Sequence, residues 1–190
     1  KELEFKAILK RFDGEEQEDF EVKIKEIVDL AEAEDIFAKT AKKKEAGISI
    51  YKENDAMWVA LNTEGEEVYL FSCEGFGFLT EDFLYEKVDH LYQKMEHVAM
   101  MEVKEHLSHL TINEMTKSIF DVSLAAYLIN PLKSTYEYDD IARDYKSMML
   151  PSRKELIDKK HPMVSDGVLS DAGKKIMGYE AYVDTTHQHN

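Results

Sequence analysis

Ile119-Phe-Asp-Val-Ser-Leu-Ala-Ala-Tyr-Leu-Ile-Asn-Pro-Leu-Lys-Ser-Thr-Tyr-Glu-Tyr-Asp-Asp-Ile-Ala-Arg-Asp-Tyr145 is the stretch that decides how the rest of the chain is read. Ser118-Ile-Phe-Asp121 reads as a short strand, and Val122 to Ile129 is a nearly continuous apolar run suited to a buried helix. Asn130-Pro131 halts that helix, because a residue before proline is pushed out of the α region. A second helix opens at Tyr136-Glu-Tyr-Asp-Asp-Ile-Ala142, where Asp139 and Asp140 sit in a first turn that favours acids. Adjacent helix residues point about 100° apart, so these two aspartates read as an N-terminal acid preference rather than paired acid–base machinery.

Upstream, the periodicity changes twice. Ala46-Gly-Ile-Ser-Ile-Tyr51, Ala56-Met-Trp-Val-Ala-Leu61 and Glu67-Val-Tyr-Leu-Phe-Ser72 are strand-like runs separated by the turn sequences Lys52-Glu-Asn-Asp55 and Asn62-Thr-Glu-Gly-Glu66. They predict an antiparallel meander, in which Trp58, Tyr69 and Phe71 pack the core. Before it, Glu21-Val-Lys-Ile-Lys25 alternates as an edge strand does, and residues 28–44 offer Leu30, Ala31, Ile36, Phe37 and Ala38 to one helix face. After it, Thr80 predicts an N-cap, followed by Phe83, Leu84, Val88, Leu91 and Tyr92 at helical spacing. His97-Val-Ala-Met-Met101 suits a buried strand and Glu102 to Leu110 a helix; beyond Tyr136 the chain reads as helical, broken by Pro151 and by a loop at residues 161–167. A meander followed by alternating helices and strands predicts an α/β fold with a mixed sheet flanked by helices.

Composition narrows the function. With 190 residues, 44% of them hydrophobic, the chain can bury one substantial core. No apolar run approaches the roughly 20 residues needed to cross a bilayer, and the first residues lack a secretory pattern, so a cytoplasmic location without membrane contact is expected. The single cysteine, Cys73, has no partner for a disulfide and reads as a small residue near a strand end. A formal charge of −15 works against autonomous binding to nucleic acid, which gains affinity from Lys and Arg that displace phosphate counterions. Between Asp13 and Asp35 acids crowd the chain and only Lys23 and Lys25 answer them, the composition of a solvated face or linker. Gly-rich phosphate loops, a Gly-x-Ser-x-Gly elbow and paired cysteines are all missing from the sequence.

The opening stretch resembles the signature of the proofreading-type 3′→5′ exonuclease domain of bacterial family-A DNA polymerases, the DNA polymerase I family. There a Phe-Asp pair leads a Leu-Ala-Ala-Tyr-Leu-Leu-Asp-Pro helix, and a Tyr-x-Leu-Asp-Asp-Leu-Ala helix follows. Leu3-Glu-Phe-Lys-Ala-Ile-Leu-Lys-Arg-Phe12 is similar to the connector from that family's upstream 5′-nuclease. The resemblance is strong over residues 97–145 and weak at both ends. It implies a ribonuclease-H-like sheet, with residues 1–19 as connector, 20–183 as the exonuclease-like domain, and 184–190 as a tail that no longer looks like the family. It also implies covalently linked polymerase and 5′-nuclease partners, a role in DNA replication and repair, and DNA contact through the parent chain.

Active members of that family cleave with two divalent metals, Mg²⁺ above all, held by four carboxylates in three motifs. An Asp-x-Glu belongs on the first strand of the meander, where either register puts Ser49 and Tyr51, or Ile50 and Lys52, at the ligand places. Asn-Leu-Lys-Tyr-Asp-Leu is matched by Glu102-Val-Lys-Glu-His-Leu107, which puts Glu102 at the Asn place and His106 at the Asp place. Neutral imidazole is a poor Mg²⁺ ligand; Glu102, His106 and His109 could begin a transition-metal site only with a further convergent ligand. Tyr-x-x-x-Asp is matched by Tyr179-Glu-Ala-Tyr-Val183, with Val183 at the carboxylate place and Asp184 about 100° further round the helix. The resemblance therefore implies a degenerate site without its own cofactor. Two alternatives stand beside it: a rearranged metal site using Glu53, Asp55, Glu102 and Asp184, and an acidic interaction module.

Overall fold

The computed structural model of the chain describes residues 21–74, 77–101, 119–132 and 135–187. Its element order is β1 (Lys23–Ile27), α1 (Leu30–Thr40), β2 (Glu45–Glu53), β3 (Ala56–Asn62), β4 (Glu67–Cys73), α2 (Glu81–Lys94), β5 (His97–Met100), β6 (Ile119–Asp121), α3 (Val122–Ile129), α4 (Tyr138–Lys146), α5 (Arg153–Leu156), β7 (Val164–Ser165), β8 (Val168–Leu169) and α6 (Asp171–His187). The expected connector at residues 1–19 and the expected helix at 102–110 lie outside the described residues.

The apolar runs pair as one sheet in the order β1-β4-β3-β2-β5-β6. β2, β3 and β4 form the antiparallel meander; β5 and β6 run parallel to β2, and β1 runs parallel to β4 at the opposite edge. β3 is buried at every position because both faces of the sheet are covered. Its side chains alternate accordingly. Met57, Val59 and Leu61 pack with Phe37 of α1 and Leu84, Val88 and Leu91 of α2, whereas Trp58 and Ala60 pack with Ala126, Tyr138, Ile141, Ile176 and Met177 from α3, α4 and α6. The result is a mixed sheet between two helical layers.

Local chemistry sets the element ends. Asp29 accepts from the Glu32 amide at 2.9 Å and Thr80 from the Phe83 amide at 3.1 Å, each satisfying an amide that the helix itself leaves unpaired. α3 stops at Ile129, immediately before Asn130-Pro131, and α4 ends at Lys146, capped by Ser147, whose left-handed φ of 52° closes the last turn. Cys73, at the end of β4, is buried.

Four expectations need correction. The helix read across residues 28–44 is confined to Leu30–Thr40, and Val28 is exposed. Glu53, read as a turn residue, ends β2 opposite Ala56, so the turn is only Asn54-Asp55. The loop read at 161–167 contains one strand of a hairpin, β7–β8, turned by Asp166 and Gly167 with φ of 54° and 76°, the pair of positive values that a tight hairpin requires. Finally, α6 does not break at Val183: it continues to His187, and Asp184 and Thr185 are buried. The boundary at 183 thus cuts through a helix packed on the sheet.

Candidate functional site

The candidate site forms where α6 crosses β2. Gly47 lets the helix approach, since a Cβ there would lie 2.2 Å from the Ala181 carbonyl oxygen and 2.3 Å from the Thr185 hydroxyl. That contact fixes how α6 is rotated. Because Ala46, Ile48 and Ile50 face the α1–α2 layer, the alternating positions Ser49 and Tyr51 face the α6 side.

Opposite Ser49 stands Glu180. The Ser49 hydroxyl donates to Glu180 Oε2 at 2.6 Å, and Arg153 of α5 donates through Nη2 to Glu180 Oε1 at 2.8 Å. On its other side Arg153 Nε lies 3.9 Å from Glu137 Oε2, at the N-terminus of α4. The Tyr138 hydroxyl donates to the Pro151 carbonyl, holding the segment that leads into α5 against α4. Tyr51 donates to Glu53 Oε2 at 3.1 Å.

Burial controls the electrostatics. It pushes the Glu180 carboxyl above the usual range, while Arg153 and the Ser49 hydroxyl pull it down without cancelling the effect. Burial opposes the charge on Arg153, but Glu180 and Glu137 outweigh it and hold the guanidinium protonated. The Tyr51 phenol is raised by burial and by its bond to Glu53, which keeps it protonated and neutral.

The other sequence candidates are scattered. Val183 is buried in the apolar cluster with Trp58, Ala60 and Ala99, and the α6 residue that faces Ser49 is Glu180, three positions earlier. Tyr179 stacks on Tyr138 with ring centroids 5.8 Å apart and an interplanar angle of 23°. Asp184 is buried one turn beyond Glu180. It adjoins Thr185, which abuts Gly47, whereas Glu53 lies six strand positions along β2, about 20 Å away at 3.3 Å per residue. Glu53, Asp55 and Asp184 are therefore not brought together. Glu102 and His106 lie outside the described residues, as does His109. Asp139 and Asp140 occupy the first turn of α4, where Asp140 accepts from the Glu137 amide at 3.2 Å and the Thr135 hydroxyl at 2.6 Å, a capping role.

Sequence reading missed Glu180 and Arg153. Glu180 had a signal: it is the one acid in the largely apolar run Ile176-Met-Gly-Tyr-Glu-Ala-Tyr-Val183, and a lone acid there needs a partner when buried. Arg153 had none, because its partner lies 27 residues away in the chain.

These donors do not fit a pair of divalent ions. Two Mg²⁺ ions need several anionic oxygens in near-octahedral arrangement. Here one hydroxyl and one guanidinium already engage Glu180, the carboxylate that faces Ser49, and the guanidinium repels a nearby cation. Among the described residues, no group of three or more His, Cys, Asp or Glu is arranged to hold a metal ion. Beside the site, a cleft of about 410 Å³ is lined by Glu53, Asp55, Glu74 and Asp166, an acidic wall that disfavours phosphate.

The mixed sheet, its strand order and the helix crossing its first meander strand define a ribonuclease-H-like 3′→5′ exonuclease fold. The chain is similar to the Nibbler EXO domain of Aedes aegypti, with 8% identity, 87% of this chain and 86% of that one covered, and a TM-score of 0.57. It is also similar to the catalytic core of RRP6 from Trypanosoma brucei, with 8% identity and a TM-score of 0.52; 88% of this chain aligns, spanning 47% of that one. At such identities the likeness concerns the fold alone. No protein-family model and no curated protein sequence matches the chain.

Proposed function

We propose that this chain is the 3′→5′ exonuclease-like domain of a DNA polymerase I of family A, without nuclease activity, kept as a structural block between the polymerase and 5′-nuclease parts of a replication and repair enzyme. The polymerase assignment rests on the Phe120-Asp-Val-Ser-Leu-Ala-Ala-Tyr-Leu-Ile-Asn-Pro131 signature and the Tyr136 to Ala142 segment that follows it. Such a parent is bacterial, cytoplasmic and held near the nucleoid by its own grip on DNA. It would need Mg²⁺ for polymerisation, whereas this domain would need none.

One observation supports the loss of activity: Glu180, the acid facing Ser49, is bound to Arg153 instead of being available to a metal; by the family resemblance, Ser49 and Tyr51 hold the places of the first carboxylates. Without anionic oxygens to seat the ions, neither the hydroxide nor the leaving oxygen is stabilised. The net charge of −15 and the acidic cleft add repulsion toward single-stranded DNA.

The test is incubation of the chain with end-labelled single-stranded DNA in Mg²⁺ or Mn²⁺, beside a chelator control. Equal product ladders are expected. Progressive shortening from the 3′ end above the control would defeat the proposal, and a gene lacking a downstream polymerase frame would defeat the assignment to its parent.

A further inference from the structure

α5 is a single helical turn, Arg153–Leu156, in which no residue is fully buried. Its apolar contact is partial: Leu156, with Ile157 just beyond it, packs half-buried against the core cluster. The Ser152 capping box stabilises the turn internally; the Tyr138 hydroxyl holds Pro151 just before it, and Arg153 adds the polar tie, to Glu180 of α6 and Glu137 beside α4.

The same guanidinium closes the charge of the pocket. Glu180 is brought in by α6 and Glu137 by the start of α4, while Ser49 closes the far side from the sheet. Two carboxylates from different parts of the chain thus address one point of positive charge, and the Ser49 hydroxyl donates to the other oxygen of the nearer one, Glu180. Arginine suits that place because its planar fork can address two carboxylates at once and stays charged at any physiological pH. The Glu180 side chain is only 14% exposed, so water supplies little of the compensation.

We infer that this pocket is a cation site whose occupant is built into the chain: Arg153 takes the place in charge that divalent ions would take in a working nuclease of this fold. The inference rests on the reading of the domain as a retired nuclease and adds to it. Loss of the ligands is coupled to gain of an internal cation, and the same residue helps to hold α5 in place.

The consequence is that deleting the guanidinium leaves a cation vacancy. Thermal unfolding of the full chain would be followed in MnCl₂, in low-millimolar guanidinium chloride and in matched NaCl, for the natural protein, Arg153→Ala and the double variant Arg153→Ala/Glu180→Gln. Arg153→Ala should melt lower than the natural protein and regain several degrees, saturably, with Mn²⁺ or guanidinium. The natural protein and the double variant should not respond. An Arg153→Ala response no larger than that of the natural protein, or one equalled by the double variant, would overturn the inference.

If Arg153→Ala does not fold, the natural protein answers by nitrogen-15 spectroscopy. Guanidinium rotation at Arg153 should be slow enough to resolve separate Nη signals, and averaging like that of a free arginine would overturn the inference. The two proposals fail differently. DNA shortening by the natural protein removes the retired-nuclease reading, whereas an unresponsive Arg153→Ala with an inactive natural protein removes only the built-in cation.

Discussion

Gly47 and Ala181 meet so closely that a single added methyl group on the glycine would lie 2.2 Å from the alanine's carbonyl oxygen. The contact is with backbone, which cannot swing aside, so it sets the height and rotation of α6 over β2. Gly47→Ala is expected to destabilise the fold by about 2–4 kcal/mol, the upper range for overpacking against a rigid neighbour. Gly65→Ala is a useful contrast. No atom lies within 4 Å of its added Cβ, but φ is +61°, so about 1 kcal/mol of backbone strain is expected. Urea unfolding of both variants checks the order, and a harmless Gly47→Ala would remove the stated reason for the helix's rotation.

Val183 tests which residue of α6 faces the site. It is 1% exposed within the apolar cluster around Trp58. Val183→Asp, which would restore a Tyr-x-x-x-Asp spacing, should bury an acid without a charged partner and cost about 3 kcal/mol or more. Calorimetry with and without Mn²⁺ is the measurement; a stable variant that gains a Mn²⁺-dependent shift would show that the carboxylate place is at 183 after all.

Ser49 is the sheet's contribution to the pocket. Ser49→Ala removes one of the Glu180 carboxylate's bonds while Arg153 remains, a loss of about 1–2 kcal/mol. Ser49→Asp instead sets two carboxylates against each other, and protonation relieves like-charge contact. Its destabilisation should be large at pH 7.5 and shrink toward pH 5, which denaturant melts at the two pH values would reveal. A constant difference would mean that position 49 does not face Glu180 in solution.

Glu180 also gives a pH dependence with a definite sign. Burial raises its carboxyl in the folded chain above the ordinary 4.5, so the folded state binds a proton more readily than the unfolded state. That contribution favours folding fully below pH 4.5 and is lost as pH rises through the folded value. Glu180→Gln cannot titrate. The stability of the natural protein relative to this variant should therefore fall as pH rises from about 4.5 and level off above the folded value. The same difference measured as rising with pH would contradict burial as the dominant influence.

Much of the fold was legible because it is written locally. The meander strands announce themselves as apolar runs between turn sequences, α2 by Thr80 and its spaced apolar residues, and the end of α3 by Asn130-Pro131. Valine, serine, aspartate and glycine at 164–167 held a hairpin signal too, but two-residue strands carry too little alternation to be read. The site was harder because its geometry is non-local. Ile50 and Ser49 could not be ranked as facing residues, since a sheet covered on both faces buries both sets. Tyr179 anchored the motif reading at Val183, yet in the fold that tyrosine stacks on Tyr138 and the helix turns Glu180 toward β2. Arg153 reaches Glu180 only through the path of the chain after Pro151, which no residue pattern records.

Anomalous diffraction from crystals soaked in Mn²⁺ tests the central claim most directly. The expected map shows the Arg153 guanidinium against Glu180 and no manganese peak between Ser49, Tyr51 and Glu180. Two peaks about 4 Å apart in that pocket, with Arg153 displaced, would be the arrangement of a working two-metal nuclease and would contradict the reading.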